Sequence, residues 1–199
     1  MDKKYKLTDE TIEVNSLTLH RIEAIRDFGD VQCGDKGGYV ENEGNLSHYG
    51  NCWIYDNAAV FDWAQVFGNA RVYDDARVYN DAWVYGLAQV RGYACVSGKA
   101  SVSGNARVGG SAKIYGSAQI VGNAKVAGIT DYIVFKNWWS SGRYFTWTRS
   151  NNMWTVGCFY GTGDELIKKA YADSELSGRE YERVVKYVNE ILKHNDEKD

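Results

Sequence analysis

Five basic side chains and no carboxylate lie between residues 82 and 130, so this stretch could bind an anion without competition from its own acids. The five are Arg91, Lys99, Arg107, Lys113 and Lys125. Residues 38–81, by contrast, hold two basic and seven acidic side chains. Because ammonium and guanidinium groups attract phosphates and carboxylates, the pattern predicts contact with nucleic acid or with an acidic protein face. A solvated face with splayed side chains is the alternative.

A second candidate site lies in the segment WWSSGRYFTW, residues 138–147. An arginine presented after the flexible Gly142 and flanked by aromatic rings suits a bidentate anion contact with cation–π support. The candidate partner-binding residues of this segment are Trp138, Trp139, Arg143 and Tyr144. The alternative is a hairpin turn whose aromatic side chains form a core, which we expect for Trp147 and Trp154.

The residue types that carry most enzyme and metal chemistry are few and scattered. The three histidines are His20, His48 and His194. The four cysteines are Cys33, Cys52, Cys95 and Cys158. No histidine stands at ligand spacing from a cysteine, and no CxxC pair occurs. We therefore predict no catalytic residue, no metal site and no cofactor, and we expect the cysteines to be reduced thiols.

The elements that position the cations follow from a repeat of six residues. It runs from Gly38 to Ala127 as fifteen hexads without an insertion. Position one is always Gly, Asp or Asn, the residues that tolerate a positive φ, so a corner is expected there. Position three is Ala from Ala58 onward and position five is Val or Ile from Ile54 onward. Residues two apart share one side of a strand, so each hexad predicts a short strand with an inward Ala/Val face.

Strands joined only by corners must coil, and three hexads give an 18-residue coil of triangular cross-section. Five coils at ~4.8 Å per stacked strand make a prism roughly 24 Å long. The continuous parallel ladder explains why the chain has 21 glycines and no proline. Outward side chains 18 residues apart should align, which predicts one column of Arg71, Gln89, Arg107 and Lys125 and another of Arg77, Cys95 and Lys113.

Position six carries aromatic residues in seven successive hexads: Tyr49, Tyr55, Phe61, Phe67, Tyr73, Tyr79 and Tyr85. We expect them to stack between coils, as in a group of Tyr49, Phe67 and Tyr85. A platform for stacking nucleic-acid bases is the alternative, although it would favour a single basic face.

These repeats resemble those of the hexapeptide-repeat, left-handed parallel β-helix proteins, and the left-handed winding is taken from that resemblance. The segment GGYVENEGNLSHYGNCWIYDNA (Gly37–Ala58) and the tail FKNWWSSGRYFTWTRSNNMWTVGCFYGTGDELIKKAY (Phe135–Tyr171) look like a narrower group. That group consists of small hexapeptide-repeat proteins of bacterial and phage or prophage genomes. The resemblance implies a phage or prophage origin and a C-terminal aromatic cap module.

The predicted fold is mainly β, a left-handed parallel β-helix of about five coils between two caps. Residues 1–37 form an N-terminal β-hairpin cap that turns at Asn15-Ser16, and residues 38–129 form the β-helix. Residues 130–199 form a small α+β module with a β-hairpin and two helices. Its first helix is predicted to start at the capping box Thr162-x-x-Glu165 and its second at Ser177-x-x-Glu180.

Many hexapeptide-repeat proteins are acyltransferases, which the resemblance makes the enzyme hypothesis. Such enzymes use a catalytic histidine and an extended loop that binds the acyl donor. This repeat has no such loop, and its one histidine, His48, falls in the inward slot of the first coil. There we expect a hydrogen-bonded structural residue. A relative that binds zinc through three histidines is excluded, because the repeat offers one.

We therefore expect a non-catalytic interaction protein, phage- or prophage-derived, that binds and inhibits a host protein or ribonucleoprotein complex of the anti-CRISPR or other anti-defence type. The alternatives are a hexapeptide-repeat acyltransferase and a structural, polymer-forming β-helix. The candidate partner-binding residues on the repeat are Arg71, Arg77, Arg91, Arg107, Lys113 and Lys125. The charged start MDKKYKLTDE and the lack of a long apolar run predict a cytoplasmic protein without a membrane partner. Homo-oligomerisation stays open.

Overall fold

The computed structural model describes residues 2–196, with side chains up to Lys193. The chain divides into two compact units. The first comprises the residues up to Ile133 together with Thr148–Asn151, and the second comprises Val134–Trp147 and the residues from Asn152 onward.

An antiparallel hairpin opens the first unit, as the sequence predicts. Strand β1 spans Tyr5–Val14 and strand β2 spans Leu17–Ala24. The turn residues Asn15 and Ser16 both have positive φ, 50° and 65°, which matches the twist of a two-residue hairpin. Strand β3, Lys36–Val40, pairs antiparallel with β2 and parallel with the first repeat strand of its sheet. The hairpin therefore continues one face of the repeat.

Thirteen strands of two residues each follow in three parallel sheets. They are β4 (Trp53–Ile54), β5 (Ala59–Val60), β6 (Gln65–Val66), β7 (Arg71–Val72), β8 (Arg77–Val78), β9 (Trp83–Val84), β10 (Gln89–Val90), β11 (Cys95–Val96), β12 (Ser101–Val102), β13 (Arg107–Val108), β14 (Lys113–Ile114), β15 (Gln119–Ile120) and β16 (Lys125–Val126). Face 1 consists of β3-β5-β8-β11-β14, face 2 of β4-β7-β10-β13-β16 and face 3 of β6-β9-β12-β15. This confirms a parallel β-solenoid of about five turns. Its left-handed winding stays a prediction.

The interior consists of the alanines of position three and the valines and isoleucines of position five. Ala88 and Val90, for example, have no exposed surface. The corner residues have positive φ in thirteen hexads, from Gly50 to Gly122. In four of these hexads the corner residue is not glycine: Asp56, Asp62, Asp74 and Asn80.

The first two hexads do not form the predicted corners. Gly38 lies within β3, and Gly44 lies in a 3₁₀ turn, Glu43–Asn45. The buried side chain of Asn45 donates hydrogen bonds to the carbonyl oxygens of Asp62 and Ala64, both at 3.0 Å. A side-chain amide thus makes the contacts to the next coil that a strand backbone would otherwise make.

The aromatic side chains of position six stack in pairs between coils. Ring centroids lie 4.6 Å apart for Tyr55 and Tyr73, 5.2 Å for Phe61 and Tyr79, and 4.9 Å for Phe67 and Tyr85. The group predicted from Tyr49, Phe67 and Tyr85 consists only of the pair Phe67 and Tyr85. Tyr49 is 68% exposed and does not join it. These stacks support the corners from outside.

The remaining strands form a four-stranded sheet in chain order: β17 (Tyr132–Lys136), β18 (Tyr144–Thr148), β19 (Met153–Val156) and β20 (Phe159–Gly161). Helix α1, Gly163–Asp173, begins at the predicted capping box of Thr162 and Glu165. Trp147 and Trp154 are buried, as expected for core residues.

The second helix begins earlier than the sequence predicts. Helix α2 spans Glu175–Asp196, and the hydroxyl of Ser174 accepts a hydrogen bond from the backbone N–H of Ser177. Ser177 therefore lies inside the first turn and does not cap it.

Candidate interaction surfaces

The solenoid aligns the predicted basic columns in register. On face 2, Gln89 lies between Arg71 and Arg107, and Arg107 lies beside Lys125. On face 1, Cys95 lies between Arg77 and Lys113. Outward positions on adjacent strands are one strand separation apart, ~4.8 Å. Arg107 and Lys125 are therefore about that far apart and Arg77 and Lys113 about twice as far, so one extended ligand could contact both cations of either column.

Arg71 is neutralised by Asp30, an acidic residue that lies before the repeat. Its guanidinium donates two hydrogen bonds to the carboxylate of Asp30, at 2.8 and 2.9 Å. Tyr55 also donates to Asp30. Arg71 therefore forms a bidentate ion pair that holds the segment before the repeat against face 2. Its charge is compensated by that of Asp30.

The other cations of the two faces have no such partner. Arg91 lies on the edge between faces 2 and 1, and its side chain passes over Gly109 of the next coil, where a Cβ atom would be 3.3 Å from Cγ of Arg91. Within residues 2–193, whose side chains the structure describes, none of the five solenoid cations on these faces and on the edge between them forms an ion pair. We call this set the basic ridge: Arg77, Arg91, Arg107, Lys113 and Lys125.

Local contacts fix the backbone beneath the ridge. The hydroxyl of Tyr132 donates to the carbonyl oxygen of Lys113 at 2.7 Å. The backbone N–H of Lys125 donates to the hydroxyl of Ser150 at 2.6 Å. The distal ends of both columns are therefore held in place, while their charged side chains remain exposed.

The aromatic segment of the second unit divides between core and surface. Trp138 is 82% exposed, whereas Trp139 is half-buried with its ring 6.0 Å from that of Phe145. Arg143 is exposed and packs on Gly157, and Tyr144 is half-buried with the ammonium group of Lys136 5.9 Å from its ring centroid. Of the predicted binding residues in this segment, Trp138 and Arg143 are thus the exposed ones.

His48 has a structural environment, as predicted for a histidine of the first coil. Its ring stacks on that of Tyr5 at 4.4 Å, and its Nδ1 atom accepts a hydrogen bond from the backbone N–H of Lys4 at 3.3 Å. Only 9% of the side chain is exposed. Burial lowers the pKa of His48 from its ordinary value, against the attraction of the Glu43 carboxylate 3.9 Å away.

This environment predicts a pH-dependent contribution to stability. Because the folded chain holds His48 at a lowered pKa, the unfolded chain binds its proton more readily. The contribution is fully present above pH ~6.5 and is lost as the pH falls through the folded pKa. Proton NMR titration of the imidazole should show the lowered pKa. His48→Gln should reduce the pH slope of stability between pH 7.5 and 5. A pKa of His48 above 6.5 would contradict this.

A buried lysine beside His48 is a feature that the sequence does not predict. Lys4 has no exposed surface, and its Nζ atom donates to the carbonyl oxygens of Gly50 at 3.2 Å and Cys52 at 2.8 Å. Burial lowers the pKa of Lys4 and raises the pKa of the Cys52 thiol. Both groups therefore contribute to holding the hairpin on the first coil.

Two exposed tryptophans on face 3, Trp63 and Trp83, were also missed by the sequence reasoning, which followed charge. Trp83 is an outward strand residue, and Trp63 lies on the edge between faces 1 and 3. Trp83 could have been found from one signal in the sequence. It is an aromatic residue at position four, the outward position between the inward-facing alanine and valine of its hexad.

The described part of the chain has no helix long and apolar enough to cross a membrane. The described side chains, those of residues 2–193, also bring together no group of three His, Cys, Asp or Glu residues that could hold a metal ion.

Comparison with known proteins supports the fold. The YdcK Beta solenoid repeat family profile matches residues 64–74 and 70–86. No curated protein matches the chain significantly. The matched segments contain β6 to β9, which are among the strands that build the three parallel sheets. The chain is therefore a β-solenoid protein, and its repeats are similar to those of the YdcK family.

Proposed function

We propose that this protein is a non-catalytic binding protein whose basic ridge contacts an acidic surface of a protein or ribonucleoprotein complex. The observation that carries the proposal is that five cations lie on two adjoining faces and the edge between them without an ion pair among the described side chains of residues 2–193. Like charges across neighbouring strands destabilise a sheet slightly, so an anionic partner would relieve their repulsion.

The acidic residues make the charge of this surface differ between the proximal and the distal coils. On the edge that carries Arg91, the earlier corner residues are Asp56, Asp74 and Asp75. The carboxylate of Asp74 accepts a hydrogen bond from the backbone N–H of Gly92 at 2.8 Å. A partner with an acidic region is therefore attracted to the distal coils and repelled from the proximal ones, which orients the complex.

The contacts of His48 support a non-catalytic role. Its Nδ1 lone pair already accepts a backbone hydrogen bond, and its ring is nearly buried against Tyr5. A general base must reach the substrate proton that it removes. The more specific form of the proposal is a phage- or prophage-encoded inhibitor of a host anti-phage complex, and it rests on the resemblance of the Gly37–Ala58 and Phe135–Tyr171 segments.

Charge reversal on the ridge tests the proposal. We expect the double variant Arg107→Glu/Lys125→Glu to capture its partner from host lysate at least tenfold less than the unchanged chain, about 1.4 kcal/mol, because close charge pairs at interfaces contribute that much or more. Captured protein would be quantified by mass spectrometry and captured RNA by sequencing. Both side chains are exposed, so the circular dichroism spectrum should not change.

The matched control is Lys168→Glu/Lys186→Glu, which changes the net charge equally on exposed positions of α1 and α2. It should capture the partner as the unchanged chain does. Equal capture by both double variants would contradict a role for the ridge. Recovery of neither protein nor RNA above the background of empty resin would contradict the binding function itself.

A further inference from the structure

Face 3 contains a shallow cleft that the basic ridge does not use. Its volume is about 670 Å³, within the range of ligand-binding clefts. The outward column of this face is Gln65, Trp83, Ser101 and Gln119, in parallel register, and all four line the cleft. None of them is charged, whereas the columns of faces 1 and 2 carry cations.

Two exposed indole rings dominate the cleft. Trp63 is 81% exposed and Trp83 is 50% exposed. Trp83 is held edge-on against Phe67, with ring centroids 6.1 Å apart, and Phe67 stacks in turn on Tyr85 at 4.9 Å. A large aromatic side chain that is both exposed and fixed in orientation offers a ligand a flat apolar surface at a low entropic cost.

Hydrogen-bonding groups surround these rings. In the part of the chain that the structure describes, no protein group bonds to the carboxamide of Gln65, the hydroxyl of Ser101 or the indole N–H groups of Trp63 and Trp83. The two charged residues of the cleft, Asp81 and Lys99, have opposite signs. The cleft therefore combines flat apolar plates, unused donors and acceptors, and no net charge.

The size of the face argues against a second copy of the chain as its occupant. Four stacked strands span roughly 14 Å, and one side of six residues spans roughly 20 Å, so face 3 offers roughly 300 Å². A stable protein interface buries about 800 Å² on each partner. The face is too small for that, but it is long enough for a chain of a few rings lying along the column.

We propose that the cleft on face 3 binds an uncharged oligosaccharide. Sugar rings have apolar C–H faces that pack on aromatic rings, and their rims of hydroxyl groups donate and accept hydrogen bonds. The indoles of Trp63 and Trp83 would pack against the sugar faces. Gln65, Ser101 and Asp81 would bind the hydroxyl groups.

The test uses three uncharged probes: cellohexaose, hexa-N-acetylchitohexaose and maltoheptaose. Each would be titrated into the full chain while the indole N–H resonances are followed by NMR, with affinity measured by calorimetry. We expect at least one probe to shift the resonances of Trp63 and Trp83. Trp83→Ala should weaken that binding at least about tenfold, as truncation of a central tryptophan usually does.

Two further variants keep the test decisive. Trp63→Ala removes a side chain that is 81% exposed and should weaken binding even if Trp83→Ala disturbs the coil. Trp138→Ala removes an equally exposed tryptophan of the second unit and should leave binding unchanged. Arg107→Glu/Lys125→Glu should also retain it, so this site and the basic ridge can fail separately.

Three outcomes would overturn the proposal. One is that none of the three probes shifts the resonances of Trp63 and Trp83 at millimolar concentration. Another is that Trp138→Ala weakens binding as much as Trp83→Ala. The third is concentration-dependent dimerisation in analytical ultracentrifugation that Trp63→Ala abolishes, which would make face 3 an interface between copies.

Discussion

Gly50→Ala should lower the free energy of unfolding by about 3 kcal/mol or more, because it combines backbone strain with a clash between coils. Gly50 has a φ of +69°, a conformation that costs an L-residue about 1–2 kcal/mol. A Cβ atom there would clash with the carbonyl oxygen of Gly68 in the next coil. Since that oxygen is backbone, the coils would have to separate.

Gly116→Ala is the matched control. Gly116 has the same φ, +69°, but a Cβ atom there would meet nothing within 4 Å. We therefore expect a loss of about 1–2 kcal/mol, which is the conformational strain alone. Urea denaturation followed by circular dichroism would measure both variants. Equal losses would show that the contact with Gly68 does not matter.

The corners that are not glycine show how the repeat offsets this strain. The carboxylate of Asp62 accepts a hydrogen bond from the backbone N–H of Asn80 at 3.0 Å, and Asn80 in turn accepts one from Gly98. Each partner lies 18 residues further along the chain. An aspartate or asparagine thus gains a bond to the next coil that alanine cannot form, and this bond offsets part of the backbone strain at these corners.

Val90→Asp should destabilise the solenoid by about 4 kcal/mol or more, a large part of the stability of a typical domain. Val90 has no exposed surface and lies in register between Val72 and Val108, all three of them buried. A carboxylate there would find no cation and no water. Hydrogen exchange at the amides of these three residues would report the loss directly.

Gln89→Asp is the control on the adjacent residue of the same strand. Gln89 points outward, in register between Arg71 and Arg107. A carboxylate there would face the unpaired guanidinium of Arg107, while that of Arg71 is already bound to Asp30, so stability should be unchanged or should rise by up to about 1 kcal/mol. Similar losses in both variants would contradict the inward and outward alternation on which the description of the faces depends.

The repeat was predictable because its geometry restricts the residue type at fixed positions of every hexad. Every corner requires a positive φ, and the narrow interior requires alanine at position three. The first two hexads depart from this pattern for two different reasons. Gly38 of the first hexad lies within β3, which pairs with β2, and the side chain of Asn45 in the second hexad makes contacts that a backbone strand makes elsewhere.

The contacts of the hairpin could not be predicted in the same way. Asp30 neutralises Arg71 across 41 residues, and Lys4 binds the carbonyl oxygen of Cys52 across 48. Neither pair follows a period, so the sequence gives no register for it. The positions of the basic columns were therefore predicted correctly, while the neutralisation of Arg71 by Asp30 was not.

Because residues 18 apart lie on the same face, the surface pattern of the solenoid depends on whether an insertion or deletion comprises whole coils. An insertion or deletion of 18 residues would lengthen or shorten the rod by one strand spacing, ~4.8 Å, and would leave every later side chain on its own face. A change of six residues would keep all corners and the whole interior intact. It would nevertheless move every residue beyond it to the next face. A change between Gln89 and Arg107 would therefore place Arg107 and Lys125 on a different face from Gln89. Natural variation in such a chain can therefore change its length without altering its surface pattern, or alter the pattern without unfolding it.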